Sequence, residues 1–66
     1  MYYSYHNIIK RKILDNKLIG YEYRENYKNI SPALLLYFND GSVYPIREYC
    51  WFKYNKYLNE YDNKKK

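Results

Sequence analysis

One cysteine, one histidine, two glycines and two prolines are present among 66 residues. Cys50 has no second cysteine to bridge to, and His6 stands far from it in sequence, so the three or four ligands of a structural zinc site are missing. Neither a metal nor another cofactor is expected. With only Gly20 and Gly41 there is no glycine-rich phosphate loop. The longest apolar run, Ala33 to Phe38, falls far short of the roughly 20 residues that span a bilayer. The opening Met1-Tyr2-Tyr3-Ser4-Tyr5-His6 has neither the basic start nor the apolar stretch of a signal peptide, and a lone cysteine fits a reducing compartment. A soluble, cytoplasmic protein without a membrane partner is the expectation.

The parts of an enzyme are also scarce. Cys50 as nucleophile with His6 as base would lack a third orienting group and an oxyanion hole. Glu48 and Glu60 would lie about 18 Å apart on one helix, too far to share a substrate bond. Glu22 and Glu25 read as solvated charges on a strand end and a loop. No catalytic residue is expected, and Cys50 reads as a small apolar residue facing a sheet.

What is abundant is tyrosine, at 12 residues, together with a net charge of +5. Tyrosine, lysine, asparagine and isoleucine all have codons rich in A and T, so an AT-rich genome produces part of this composition without selection for a ligand. Lysine outnumbers arginine nine to three, whereas phosphate and base readers lean on arginine's planar fork. A chain this short forms one domain, residues 1–66, burying roughly 60% of its unfolded surface.

The strongest local signal is Leu34-Leu35-Leu36-Tyr37-Phe38, then Asn39-Asp40-Gly41, then Ser42-Val43-Tyr44-Pro45-Ile46. A turn rich in residues that accept left-handed backbone joins two β-prone runs, which reads as a hairpin. Pro45 donates no ladder bond and places the second strand at an edge. Upstream, Leu18 to Arg24 alternates, with Ile19, Tyr21 and Tyr23 on one face and Leu18, Gly20, Glu22 and Arg24 on the other; Gly20 suggests a bulge. Glu25 to Pro32 is a polar loop. Beyond Pro45 the period becomes helical: Cys50, Tyr54, Tyr57, Leu58 and Tyr61 share a face that Trp51 and Phe52 widen, predicting a helix over Glu48–Tyr61 and a frayed basic tail over 62–66. The first segment reads as a short helix capped by Ser4 and stopped at Asp15-Asn16, or as a strand turning there into Leu18; the helix is preferred.

The predicted fold is α+β: a three-stranded antiparallel sheet (Leu18–Arg24, Ala33–Phe38, Ser42–Ile46), a C-terminal helix packed on one face, and an N-terminal helix or extra strand. Leu34, Leu36, Phe38, Val43, Cys50, Tyr54 and Leu58 form its predicted core, joined by Tyr21 and Tyr37. The run Ile19-Gly20-Tyr21, the hairpin Leu34 to Ile46 with its Asp40-Gly41-Ser42-Val43-Tyr44 turn, and the aromatic helix after it resemble the KTSC domain over about residues 18–61. The resemblance implies this fold and a nucleic-acid association, and carries no catalytic residue. A serine-rich start before Ile19-Gly20-Tyr21 and a glycine-aromatic pattern after the helix, both features of that family, are absent.

So small a core cannot hold twelve tyrosines, so several of Tyr2, Tyr3, Tyr5, Tyr23, Tyr27, Tyr44, Tyr49, Tyr57 and Tyr61 must stay partly exposed. Exposed tyrosine beside arginine is the composition of interface hot spots. Tyr23, Arg24, Tyr44, Arg47, Tyr49 and Tyr57 are therefore the candidate partner-binding residues. The expectation is a stoichiometric, non-catalytic inhibitor or adaptor acting on a host protein or ribonucleoprotein, similar in size and style to the anti-CRISPR and other anti-defence proteins of phages and plasmids. The alternative is an RNA- or DNA-binding module with Lys10, Arg11, Lys12, Arg24 and Arg47 on phosphates and tyrosines stacking bases. On a helix Lys10, Arg11 and Lys12 fan over about 200°, so only part of that cluster faces one partner. A homodimer with no further ligand is the third reading.

Overall fold

The computed structural model describes residues 5–64, so the candidate cap Ser4, Tyr2, Tyr3 and the last two lysines lie outside the described residues. The elements run α1 (Tyr5–Leu14), β1 (Leu18–Arg24), β2 (Ala33–Phe38), β3 (Val43–Arg47), a 3-10 helix over Glu48–Lys53, and α2 (Asn55–Lys64). The strands form one antiparallel sheet in the order β1-β2-β3. This is the α+β arrangement that the sequence predicts, with the first segment helical.

Asn16 ends α1. It adopts φ 61°, its N–H reaches Ile13 O at 3.0 Å, and the Lys17 N–H reaches Lys12 O at 3.1 Å. These two bonds close the helix in a Schellman turn, which an asparagine tolerates in left-handed backbone. At the hairpin, Phe38 N–H bonds Ser42 O and Gly41 N–H bonds Phe38 O, each at 3.0 Å, with Gly41 at φ 89°. The Asp40 carboxylate accepts the Ser42 N–H at 2.9 Å, fixing the turn from within.

The register of β1 and β2 slips between Leu18 and Gly20, so Ile19 is an extra residue with its side chain 57% exposed. This bulge corrects the simple alternation. Leu18 pairs with Phe38, Tyr21 with Leu36 and Tyr23 with Leu34, so Leu18, not Ile19, joins the core face. That face holds Leu34, Leu36, Phe38 and Ile46, which pack with Ile9, Leu18, Cys50, Tyr54 and Leu58.

Two core assignments are overturned by parity. Val43 pairs with Tyr37, and both project from the opposite face, so Val43 is exposed and Tyr37 half-buried; Tyr44 and Ile46 point inward instead. The opposite face is not bare, however. Leu35 and Ala33 lie on it and are buried, and the half-buried Tyr27, Ile30 and Pro32 belong to the loop that leads into β2. An antiparallel bridge joins Tyr27 to Ile30 within that loop. The central strand is buried on both of its faces.

Both helices lie against the core face. At one end His6 Nδ1 meets the Tyr54 hydroxyl at 2.5 Å, and at the other Lys64 Nζ donates to Asn16 Oδ1 at 3.2 Å, so α1 and α2 run parallel. The Tyr21 hydroxyl donates to Asp62 Oδ2 at 2.8 Å, which sets α2 beneath β1, while Tyr5 and Lys12 contact Tyr44 and set α1 beneath β3. The predicted tail is corrected here: Asp62, Asn63 and Lys64 are helical, and Asp62 and Lys64 are held by Tyr21 and Asn16.

Candidate binding surface

The predicted continuous helix over Glu48–Tyr61 is two helices. After Arg47, which keeps extended backbone at φ −70° and ψ 151°, the chain winds as a 3-10 helix to Lys53 and resumes at Asn55 as an α-helix. Tyr49, Trp51 and Phe52 are mediocre α-helix formers, and the Trp51 indole N–H donates to Ile46 O at 2.9 Å, which holds the segment against the end of β3.

The tighter winding decides which side chains meet. In a 3-10 helix residues three apart eclipse. Cys50 takes the buried side, and Tyr49 and Phe52 stack their positions on the opposite one, 75% and 69% exposed. An α-helical reading spreads these two residues apart and assigns Phe52 to the buried stripe, so Phe52 is the residue that sequence reasoning missed. Its signal is the three-residue spacing from Tyr49.

Trp51 extends this ridge sideways. Its ring meets Tyr23 edge-on with centroids 4.9 Å apart, and Tyr23, itself 54% exposed, meets Tyr21 at 6.1 Å. Half-buried Trp51 thus stands between exposed Tyr49 and Phe52 in the chain and touches exposed Tyr23, linking the four aromatics. Arg24 and Arg47 stand at the same end of the sheet, where both pair with Ala33 from opposite sides on the other face. Arg24 Nε reaches Glu22 Oε1 at 3.3 Å, and the same carboxylate oxygen accepts the Tyr37 hydroxyl, which pushes that phenol's pKa up. Arg47 is exposed and has no ion-pair partner among the described residues.

Of the predicted set, Tyr23 touches Trp51 and Tyr49 is exposed three residues from Phe52, while Arg24 and Arg47 stand at the same end of the sheet on its other face. Tyr44 and Tyr57 do not belong. Tyr44 faces inward between Phe38, at 5.6 Å, and Tyr5, at 5.5 Å, and Tyr57 packs half-buried against the core.

The cations of the nucleic-acid reading are dispersed. Lys12 Nζ is held by Asp40 Oδ2 at 2.7 Å and Ser42 Oγ at 3.1 Å, over the rings of Tyr44 and Phe38, at the hairpin end of the sheet remote from Arg24 and Arg47. Its bond to Asp40 raises the lysine's pKa and holds the carboxyl well below the usual carboxylate range. Lys10 is half-buried, while Arg11 is exposed on the same helix.

Under the sheet, half-buried His6 pairs with buried Tyr54. The Tyr54 side chain is fully enclosed, and its hydroxyl shares a hydrogen bond with His6 Nδ1 whose donor follows the imidazole tautomer. Burial raises the phenol's pKa; burial, then the nearby Lys53 and Lys10, lowers that of His6. Among the described residues no three of His, Cys, Asp and Glu come together around a common point, and no helix is long and apolar enough to cross a membrane.

No family model matches the chain, and no match is found for it among curated proteins or among solved structures.

Proposed function

We propose that the protein is a non-catalytic binding module that acts stoichiometrically on a macromolecular partner, a protein or the protein surface of a ribonucleoprotein, through the strip Tyr49, Phe52, Trp51 and Tyr23. The exposure of Tyr49 and Phe52 on one ridge supports this reading above any other feature. Two large aromatic side chains held outward on a rigid turn present contact area at little entropic cost, as interface anchors do. Arg47, which has no ion-pair partner among the described residues, stands at the same end of the sheet and supplies a fork for a carboxylate on the partner. An inhibitor or adaptor of the anti-defence kind would work in this way, by occupying a surface.

Photo-crosslinking tests the reading. A benzophenone side chain in place of Phe52, exposed to light in a cell extract, should label one protein species, and Tyr49→Ala should abolish the label. The same group at Asn59, on exposed α2, should give no such species. Labelling of nucleic acid in place of protein, together with a steep loss between about 50 and 200 mM salt, would transfer the strip to the base-stacking reading.

A further inference from the structure

The two edges of the sheet are finished differently. β3 is guarded: Pro45 sits in its middle without an N–H, and the Tyr5 hydroxyl donates to Pro45 O at 3.4 Å. β1 has no such guard. It contains no proline, its bulge bends only the Leu18–Gly20 start, and among the described residues no backbone hydrogen bond leaves Gly20–Arg24 on the side away from β2. An edge of this sort is a template for another strand.

We propose that β1 pairs antiparallel with β1 of a second copy of this chain, about a two-fold axis through Tyr23, joining the two sheets into one with the helices of both copies on the same face. The charges on β1 select the register. A two-fold axis perpendicular to the sheet must pass through a pair of identical residues, because opposed side chains share a face. Centred on Glu22, the pairing sets the two Glu22 carboxylates against each other. Centred on Tyr21, it sets Glu22 against Gly20 and leaves no charge matched. Centred on Tyr23, it sets Glu22 of each copy opposite Arg24 of the other, twice over by symmetry, with the half-exposed Tyr23 rings meeting on the helix face. The proposal does not depend on the Tyr49–Phe52 ridge; Tyr23, the far end of that strip, would be taken up by the dimer and leave Tyr49, Phe52 and Trp51 to a partner.

Sedimentation equilibrium between about 10 μM and 1 mM protein, a span that covers weak association, tests it through charge reversal. Wild type should rise from the 8.3 kDa monomer toward twice that mass. Glu22→Arg and Arg24→Glu should each weaken the dimer about tenfold or more, since each places like charges opposite one another. The double variant E22R/R24E should recover it. Circular dichroism of each variant reports folding. The single and double variants carrying E22R both lose the Tyr37 contact, so recovery cannot come from that bond. A wild type monomeric at 1 mM would overturn the second copy as occupant and leave the edge to a strand of another protein. Association untouched by the single reversals, or not restored by the double, would overturn this register.

Discussion

Replacing Tyr54 by phenylalanine removes one oxygen from a fully enclosed ring and isolates the His6–Tyr54 bond from packing. At neutral pH the hydroxyl and Nδ1 of an uncharged His6 share a hydrogen bond at 2.5 Å. Losing a hydrogen bond of this kind costs about 1 kcal/mol net, within a range of roughly 0.5–1.5. In a domain of this size that lowers Tm by about 4–8 °C. The cost should also depend on pH, and its sign follows from the histidine. Its pKa in the folded protein lies below the ordinary value of about 6.5, because burial and the neighbouring lysines disfavour the cation. As pH falls below about 6.5 the unfolded chain takes up a proton that the folded one refuses, so stability is present above that pH and is lost on acidification. In the tautomer whose Nδ1 accepts the Tyr54 proton, protonating that nitrogen ends the bond as made at neutral pH, which should add to the refusal. Without the hydroxyl, His6 charges more readily in the fold, so the cost of Tyr54→Phe should shrink between pH 7.5 and 5.5. Urea unfolding of both proteins at the two pH values measures this, with the His6 ring titrated by NMR alongside. A cost that stays constant between the two pH values would refute the coupling, and a cost below about 0.3 kcal/mol at pH 7.5 would refute the bond's contribution.

Four further outcomes are expected. Phe52→Ala and Tyr49→Ala should each change unfolding free energy by less than about 0.5 kcal/mol, as exposed positions do, yet cost about 2 kcal/mol or more in partner affinity, checked by urea titration and by calorimetry with the crosslinked partner. Gly41→Ala should destabilise by about 1–2 kcal/mol through left-handed backbone alone, since nothing lies within 4 Å of the added carbon; thermal denaturation reads it. Cys50→Ser should cost about 1–3 kcal/mol by burying a hydroxyl among apolar groups, and Cys50→Ala less, while the wild-type thiol should react with a disulfide reagent only as fast as the protein opens. Asp40→Asn should flatten the acid limb of the stability curve. The depressed carboxyl pKa means that its stabilisation is present above about pH 3.8 and is lost as pH falls toward the folded value, which urea midpoints at pH 7 and pH 3 compare.

Local chemistry made most of the fold legible. The Asn39-Asp40-Gly41 turn, the stop at Asp15-Asn16 and the alternation of β1 are each written in a few adjacent residues whose backbone preferences admit few alternatives. The failures share a cause in parity and pitch. A single inserted residue at Ile19 moves Leu18 to the core face, and no neighbour of Ile19 signals that it is the extra one, although Gly20 marks the vicinity. Val43 and Tyr37 both look apolar enough for the core, and only their pairing with each other shows that they share the outer face. At Glu48–Tyr61 the helical period was sound for Tyr54, Leu58 and Tyr61, but the tighter winding of the first turns depends on a Trp51-to-Ile46 bond that no periodicity contains. The exposed aromatics are the least legible for this reason. Tyr23 and Tyr49 are legible as exposed because they lie at the ends of predicted elements, whereas the exposure of Phe52 is hidden by the pitch and the inward turn of Tyr44 by its parity.

The contacts that dock α1 carry a consequence for how the protein comes into being. Tyr5 meets Pro45, His6 meets Tyr54 and Lys12 meets Asp40, separations of 40, 48 and 28 residues. At about 5–20 residues per second of synthesis, His6 waits roughly 2–10 s for Tyr54 to be made. During that interval the first helix has no sheet to lie on, and Ile9 has only its neighbours or another molecule's surface for cover. A cell making this protein therefore holds, for seconds per chain, an amphipathic basic segment waiting for its other half, and that interval is when the chain is open to chaperones, proteases and misplaced partners.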